Sequence, residues 1–231
     1  MQKPIIIYSL ARSKSTATLQ AARRNILLHE PFDPWSAIDN YVEVVTTGTP
    51  SRTDLDNLLL SSVNWTELQQ QMQNENAAVK FFGTSLYHYY PAQKWFKDVL
   101  KNNSHEVFIL LRNLEDLCWS LVLALEFGFA KSNLKKPIRT FTAPIAYIEN
   151  CSRSIDYFLD FYPKEKQIIT FQSLPTEFFD YSKISMTPQK SQDKRFLVEN
   201  YNYVEDQIHK ILMNKKNRWE DVTQTSIYTN W

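Results

Sequence analysis

The sequence predicts a single α/β domain, a central parallel sheet with helices on both faces. Three observations carry this. Short apolar runs of strand length recur at residues 3–9, 77–83, 106–111 and 167–171. Longer segments with apolar residues at helical spacing lie between them, and strands alternating with helices close a parallel sheet. The chain of 231 residues is 43% hydrophobic and 22% charged, enough to bury one ordinary core and too apolar for a disordered chain. No internal repeat, long linker or low-complexity tract divides it, so residues 1–231 read as one unit.

Taken in order, residues 3–9 hold the uninterrupted run Ile5-Ile6-Ile7 and read as a buried strand. Residues 15–28 read as a helix. Pro31 and Pro34, with Phe32 and Trp35 beside them, mark a loop. Residues 41–47 fit a strand or an extended loop. Residues 54–74 are polar, with Leu58, Leu59, Leu60, Trp65 and Leu68 at irregular helical spacing. After the second apolar run, residues 91–101 read as a helix that buries Trp95, Phe96 and Val99. After the third, residues 114–129 form a strongly apolar helix. Residues 134–144 are basic and bounded by prolines, hence a loop, and residues 144–162 form the next helix. Past the fourth strand, residues 178–190 are irregular, and residues 193–215 form the final helix.

Composition excludes several classes. The formal net charge is +1, so a bulk nucleic-acid binder is not expected and any anion site must be local. Two cysteines, Cys118 and Cys151, fall in predicted helices and are too few for a disulfide scaffold or a structural zinc site. No metal motif is present. Near the N-terminus the only apolar run is residues 5–7, far short of a signal peptide or membrane span, so a soluble cytoplasmic protein without a membrane partner is expected.

Chemistry concentrates in two places. The first is Arg12-Ser13-Lys14-Ser15-Thr16, between the first strand and the first helix. A helix start presents unpaired backbone N–H groups and a partial positive charge, and here two cations and three hydroxyls join them. Such a turn suits an anion with several oxygens, a phosphate or a sulfate. The common phosphate loop GxxxxGK[ST] uses two glycines that this stretch lacks, which disfavours an ordinary ATP or GTP hydrolase. The plainer alternative is a capped helix, with Ser13 as N-cap and a surface Arg and Lys. The second place is the third strand's exit. Arg112 ends the strand and Ser120 lies eight residues further, two turns into the next helix. The two could converge on a second anion; alternatively Arg112 pairs with Glu115 or Asp116.

Together these motifs resemble the 3′-phosphoadenosine-5′-phosphosulfate (PAPS)-dependent sulfotransferases, an α/β family of P-loop-like nucleotide-binding type. In that family a loop R-S-G-[ST]-T holds the 5′-phosphosulfate, and R-D-P-x-D-x-x-x-S holds the 3′-phosphate through its Arg and Ser. Here Arg12-Ser13-Lys14-Ser15-Thr16 matches the first, and Arg112-Asn113-Leu114-Glu115-Asp116 with Ser120 matches the second. Residues 168–174, IITFQSL, are similar to the family's late strand and turn I-x-Y-E-D-L. The resemblance covers residues 4 to about 174. It implies PAPS as cofactor, 3′,5′-ADP as product, no metal, and a small-molecule, glycan or peptide acceptor with a hydroxyl or amine. Lys14 departs from the family's loop glycine, which costs about 1 kcal/mol if the loop needs φ > 0 there. Asn113-Leu114 and Phe171-Gln172 depart from Asp-Pro and Tyr-Glu, and the C-terminal glycine-rich basic motif of the cytosolic branch is missing. A non-catalytic nucleotide-binding module of the same fold and a P-loop kinase-type enzyme are the alternatives.

The resemblance also implies a base. Glu30, eighteen residues after Arg12 and beside Pro31 and Phe32, stands where several branches carry a catalytic Glu, and nearby aromatics would desolvate it. His29 and Asp33 are neighbours that could serve instead. His88 stands near where other branches carry a catalytic His. Arg12 would stabilise charge on the leaving oxygen. Phe32, Trp35, Tyr87, Tyr89 and Tyr90 are candidates for lining an acceptor pocket or stacking adenine.

Overall fold

The computed structural model describes residues 2–32, 63–127, 139–184 and 195–228. Asp33, Trp35, Leu58–Leu60 in the polar stretch and the residues 41–47 read as a strand or loop lie outside the described residues. Five strands form one parallel sheet: β1 (Ile5–Ser9), β2 (Ile26–His29), β3 (Ala77–Phe82), β4 (Glu106–Leu110) and β5 (Gln167–Ile169), in the order β2-β3-β1-β4-β5. The helices are α1 (Ser15–Ala21), α2 (Trp65–Met72), α3 (Gly83–His88), α4 (Tyr90–Asn102), α5 (Leu114–Phe127), α6 (Ile145–Asp160) and α7 (Tyr201–Thr223). The α/β class with a helix-flanked parallel sheet holds.

Three boundaries differ from the sequence reading. The first helix stops at Ala21, and Ile26–His29 leaves it to become β2. Contacts remote in sequence break the helix: Arg24 Nη2 donates to the Lys3 carbonyl at 2.8 Å, and the Arg23 N–H to the Phe178 carbonyl at 2.8 Å. In the described part of the polar stretch, from residue 63, the element is α2, capped by Asn64, whose Oδ1 accepts from the Glu67 N–H at 3.4 Å. The last helix starts eight residues late, at Tyr201, after a 3₁₀ turn at Arg195–Leu197, and runs to Thr223.

Strand order explains how the helices distribute. Parallel crossovers are right-handed, so the direction of travel along the sheet fixes the face of each connection. Only the step from β1 to β2 runs one way; the steps to β3, β4 and β5 run the other. Among the described residues α1 is accordingly the helix of one face, packing Leu19 and Ala21 on Ile5, Ile7, Ala78 and Phe108, with Leu174, Phe179 and Ile184 in the same layer. The opposite face, with Ile6, Tyr8, Val79, Phe81, Val107 and Ile109, receives α2 to α7. Both faces are covered as expected, unequally. α3 and α6 meet where Gly83 has no side chain: a Cβ there would press into the Tyr157 carbonyl. No described helix is long and apolar enough to cross a membrane.

The connection leaving β1 and those leaving β4 turn to opposite faces, so the sheet's topological switch lies between these two neighbouring strands. Open α/β sheets bind ligands at the carboxyl ends of strands flanking such a point. The loops carrying Arg12 and Arg112 leave the sheet there.

Candidate functional site

The loop after β1 is held in an unusual backbone shape. Arg12 (φ 70°) and Lys14 (φ 64°) both adopt the left-handed region without being glycine, at about 1–2 kcal/mol each. Asn103 and Gln224, also left-handed, cap helix C-termini, where that conformation is ordinary. Glu165 (φ 64°) turns the chain just before β5; Arg12, Lys14 and Glu30 (φ 46°) cap no helix C-terminus and gather at the carboxyl ends of β1 and β2. A left-handed residue followed by right-handed ones turns successive N–H groups toward one point, a concavity that suits an anion.

Lys14, not Ser13, is the N-cap of α1, and it makes no side-chain cap bond. Its carbonyl accepts from the Thr18 N–H at 3.1 Å and the Thr18 hydroxyl at 3.2 Å. Ser13 instead donates to the Leu10 carbonyl at 2.7 Å, bracing the loop from inside. The Lys14 ammonium reaches across to Phe171, 4.8 Å from the ring centroid, and ties the loop to the segment after β5.

The two motifs of the sequence meet. Arg112 donates to the Arg12 carbonyl at 3.0 Å, and Arg12 Nε donates to Ser120 Oγ at 3.4 Å. Burial, then the adjacent Arg112 charge, pulls the Arg12 guanidinium below its ordinary pKa. The alternative pairing of Arg112 with Glu115 or Asp116 gives way to Arg195, which engages Glu115 at 3.6 Å and Asp116 at 2.5 Å. Asn113 caps α5 by accepting from the Asp116 N–H at 3.1 Å.

The sequence reading missed Lys80. It lies on β3, opposite Ile7 in register, and its face is the one α1 covers. Its side chain is 4% exposed, and its Nζ donates to Thr16 Oγ1 at 2.8 Å and to Glu30 Oε1 at 2.5 Å. The visible signal was a lone lysine in the apolar strand Ala-Ala-Val-Lys-Phe-Phe, since a buried charge requires a partner. Glu30 therefore faces an ammonium, not the aromatic setting expected for it. Phe32 is fully buried in the core beside Phe81, Tyr89 and Trp65. His29 is lowered in pKa by burial and then by Lys80, while Glu30 opposes this.

His88 ends α3, where its ring lies 5.0 Å from Tyr87 and 6.0 Å from Tyr157, centroid to centroid. Of the aromatics proposed for a pocket, Phe32 and Tyr89 are core residues, Tyr87 stacks on Tyr157 at 4.1 Å, and Tyr90 is exposed. A cleft of about 220 Å³ starts at Pro31, next to Glu30, and is lined by Val63, Asn64, Glu67, Leu68 and Gln71. A cleft of about 350 Å³ lies between the first turn of α5, at Glu115, and α7. Among the described residues no group of three or more His, Cys, Asp or Glu side chains is placed to hold a metal ion.

No protein-family model, no curated protein and no solved structure matches this chain.

Proposed function

We propose that the protein is a sulfotransferase that uses PAPS as donor, with the Arg12–Arg112–Ser120 convergence as the observation that carries the reading. Two arginines from separate loops and a hydroxyl from α5 meet at the switch point between β1 and β4, and planar guanidiniums suit phosphate oxygens. Residues 12–16 would hold the donor's 5′ end, and Arg112 and Ser120 its 3′-phosphate. The donor supplies a sulfuryl group whose transfer leaves negative charge on a phosphate oxygen. Arg12 and Lys80, cations already buried or half-buried, suit the stabilisation of that charge without reorganising. Glu30 would accept the proton of an acceptor hydroxyl or amine. The cleft at Pro31 offers an acceptor the Glu67 carboxylate and the Asn64 and Gln71 amides over an apolar floor.

The non-catalytic alternative draws on Lys14, which is left-handed where the resembling family has glycine and turns to Phe171 instead of the cluster. A kinase-type reading has no glycine loop to support it.

Calorimetry with 3′,5′-ADP, 5′-AMP and ATP tests the donor. The expected order is 3′,5′-ADP tightest, with 5′-AMP at least tenfold weaker, since a charge-assisted bond to phosphate contributes about 1.5–3 kcal/mol. Equal affinity for 3′,5′-ADP and 5′-AMP overturns the assignment. An acceptor screen with PAPS then separates the transferase from the binding module.

A further inference from the structure

We propose that Lys80 clamps Glu30 and hands over to a bound oxyanion, so that occupancy of the phosphate site releases the carboxylate; this rests on reading the loop at Arg12 as that site. The argument starts from unequal burial. The Lys80 side chain is 4% exposed and the Glu30 side chain 26%. A released Glu30 can turn to water. Lys80, fixed in the middle of the sheet on β3, cannot, and a buried ammonium without an acceptor is strongly unfavourable. Whichever acceptor Lys80 holds thus decides whether Glu30 is free.

An oxyanion is in position to compete. The Lys80 ammonium already touches Thr16 Oγ1, within the motif of residues 12–16, and the described contacts use two of its three donors. A second, independent feature points to a missing polar ligand on the same side. Ser9 is fully buried at the carboxyl end of β1, its Oγ has no hydrogen-bond partner among the described residues, and strand alternation sets it on the face of Ile5, Ile7 and α1. A phosphate or sulfate between Lys80 and Arg12 gives the ammonium a doubly charged acceptor in place of a singly charged one. The Glu30 backbone need not move: its N–H stays on the Lys80 carbonyl at 3.0 Å, and only its side-chain torsions change. Lys80 is in this respect a positioning residue, acting through Glu30. While Lys80 holds Oε1, that oxygen is turned to the ammonium and away from an acceptor, so proton abstraction would follow donor binding rather than precede it.

The test uses the whole chain with 3′,5′-ADP and, separately, inorganic phosphate. Calorimetry on the unmutated protein, Glu30→Gln, Lys80→Met and the double variant forms a cycle. Glu30→Gln removes the competitor and should tighten 3′,5′-ADP binding about tenfold. In the Lys80→Met background the same change should alter affinity by less than about threefold. Side-chain carbon NMR of the unmutated protein, with Glu30 assigned from Glu30→Gln, gives a readout that needs no variant to bind. The Glu30 carboxylate resonance should move on titration with either anion and stay fixed in Lys80→Met. If 3′,5′-ADP binds the unmutated protein but the Glu30 resonance stays still, the clamp is wrong and the phosphate site stands. An equal gain from Glu30→Gln with and without Lys80 means simple charge repulsion, which also overturns the clamp. If neither anion binds the unmutated protein, the site reading fails and the clamp with it.

Discussion

Removing either end of the Lys80–Glu30 pair should have unequal effects on stability, and the structure fixes which is larger. Glu30→Gln leaves an ammonium that is 4% exposed with only Thr16 and a neutral amide for acceptors. Breaking a fully buried ion pair costs about 3–5 kcal/mol, because the remaining charge is uncompensated. Glu30 is 26% exposed, so water reaches that side and the expected loss falls to about 2 kcal/mol. Lys80→Met is milder. The methionine nearly conserves volume beside the Phe82 ring, 5.3 Å from the ammonium, and the orphaned carboxylate can turn to solvent, so the loss is about 0–1 kcal/mol. The double variant has neither an orphaned charge nor a lost volume and should match Lys80→Met. For a chain of this size 1 kcal/mol shifts Tm by roughly 2–4 °C. Glu30→Gln should therefore melt about 4–8 °C lower, and adding Lys80→Met should restore most of the difference. Differential scanning calorimetry of the four proteins in a phosphate-free buffer measures this. A Lys80→Met variant less stable than Glu30→Gln, or a double variant that sums the two losses, refutes the reasoning from burial.

Other outcomes follow from separate parts of the molecule. Arg112→Ala should weaken 3′,5′-ADP at least tenfold and leave 5′-AMP nearly unchanged by calorimetry, with loss of both equally pointing to a collapsed loop. Gly83→Ala forces a Cβ into the Tyr157 backbone and should cost about 3 kcal/mol or more in urea melts, whereas an unchanged midpoint would mean α3 and α6 part easily. Lys14→Gly relieves about 1–2 kcal/mol of left-handed strain, but it loses the Phe171 contact of about 0.5–1 kcal/mol and gains unfolded-state entropy worth about 0.4–1 kcal/mol, so stability should stay within about 1 kcal/mol. Burial raises the phenols of Tyr8, Tyr147 and Tyr162, the last to about 12. Folded values above the unfolded value of about 10 mean stability is whole below pH 10 and falls as pH climbs toward 12, by about 1.4 kcal/mol per pH unit for each such tyrosine. Tyr162→Phe should flatten that slope in urea melts taken between pH 10 and 12.

The parts of the fold that were readable are those whose cause is local. β1, β4 and β5 lie in the sheet on short apolar runs, and β3 on one broken only by Lys80, and such runs announce themselves. β2 did not, because Ile26-Leu27-Leu28 continues the apolar spacing of α1 and no glycine or proline separates them. The break comes from Arg23, Arg24 and Asn25, anchored to Phe178, Lys3 and Asn76, contacts that exist only once the chain has folded. The cap of α2 was readable in principle, since Asn64 followed by Glu67 is a capping pattern. It was hidden in a long polar stretch.

The candidate site divides the same way, and the division bears on how the loop survives without glycine. Arg12, Arg112 and Ser120 were visible as motifs, and the fold brings them within hydrogen-bonding reach of one another. Lys80 arrives from a different strand by register alone, and Phe171 from beyond β5. Those two remote residues hold the loop and its neighbour in place. Phe171 receives the Lys14 side chain, Ser13 bonds back to Leu10, Arg112 holds the Arg12 carbonyl, and Lys80 fixes Thr16 against Glu30. Each of the left-handed residues 12, 14 and 30 is over-determined by a contact of this kind, the condition under which backbone strain persists in a native state. A glycine would adopt the shape freely. Here the surrounding side chains impose it, so substitution of Phe171 should loosen the loop even though that residue lies beyond β5.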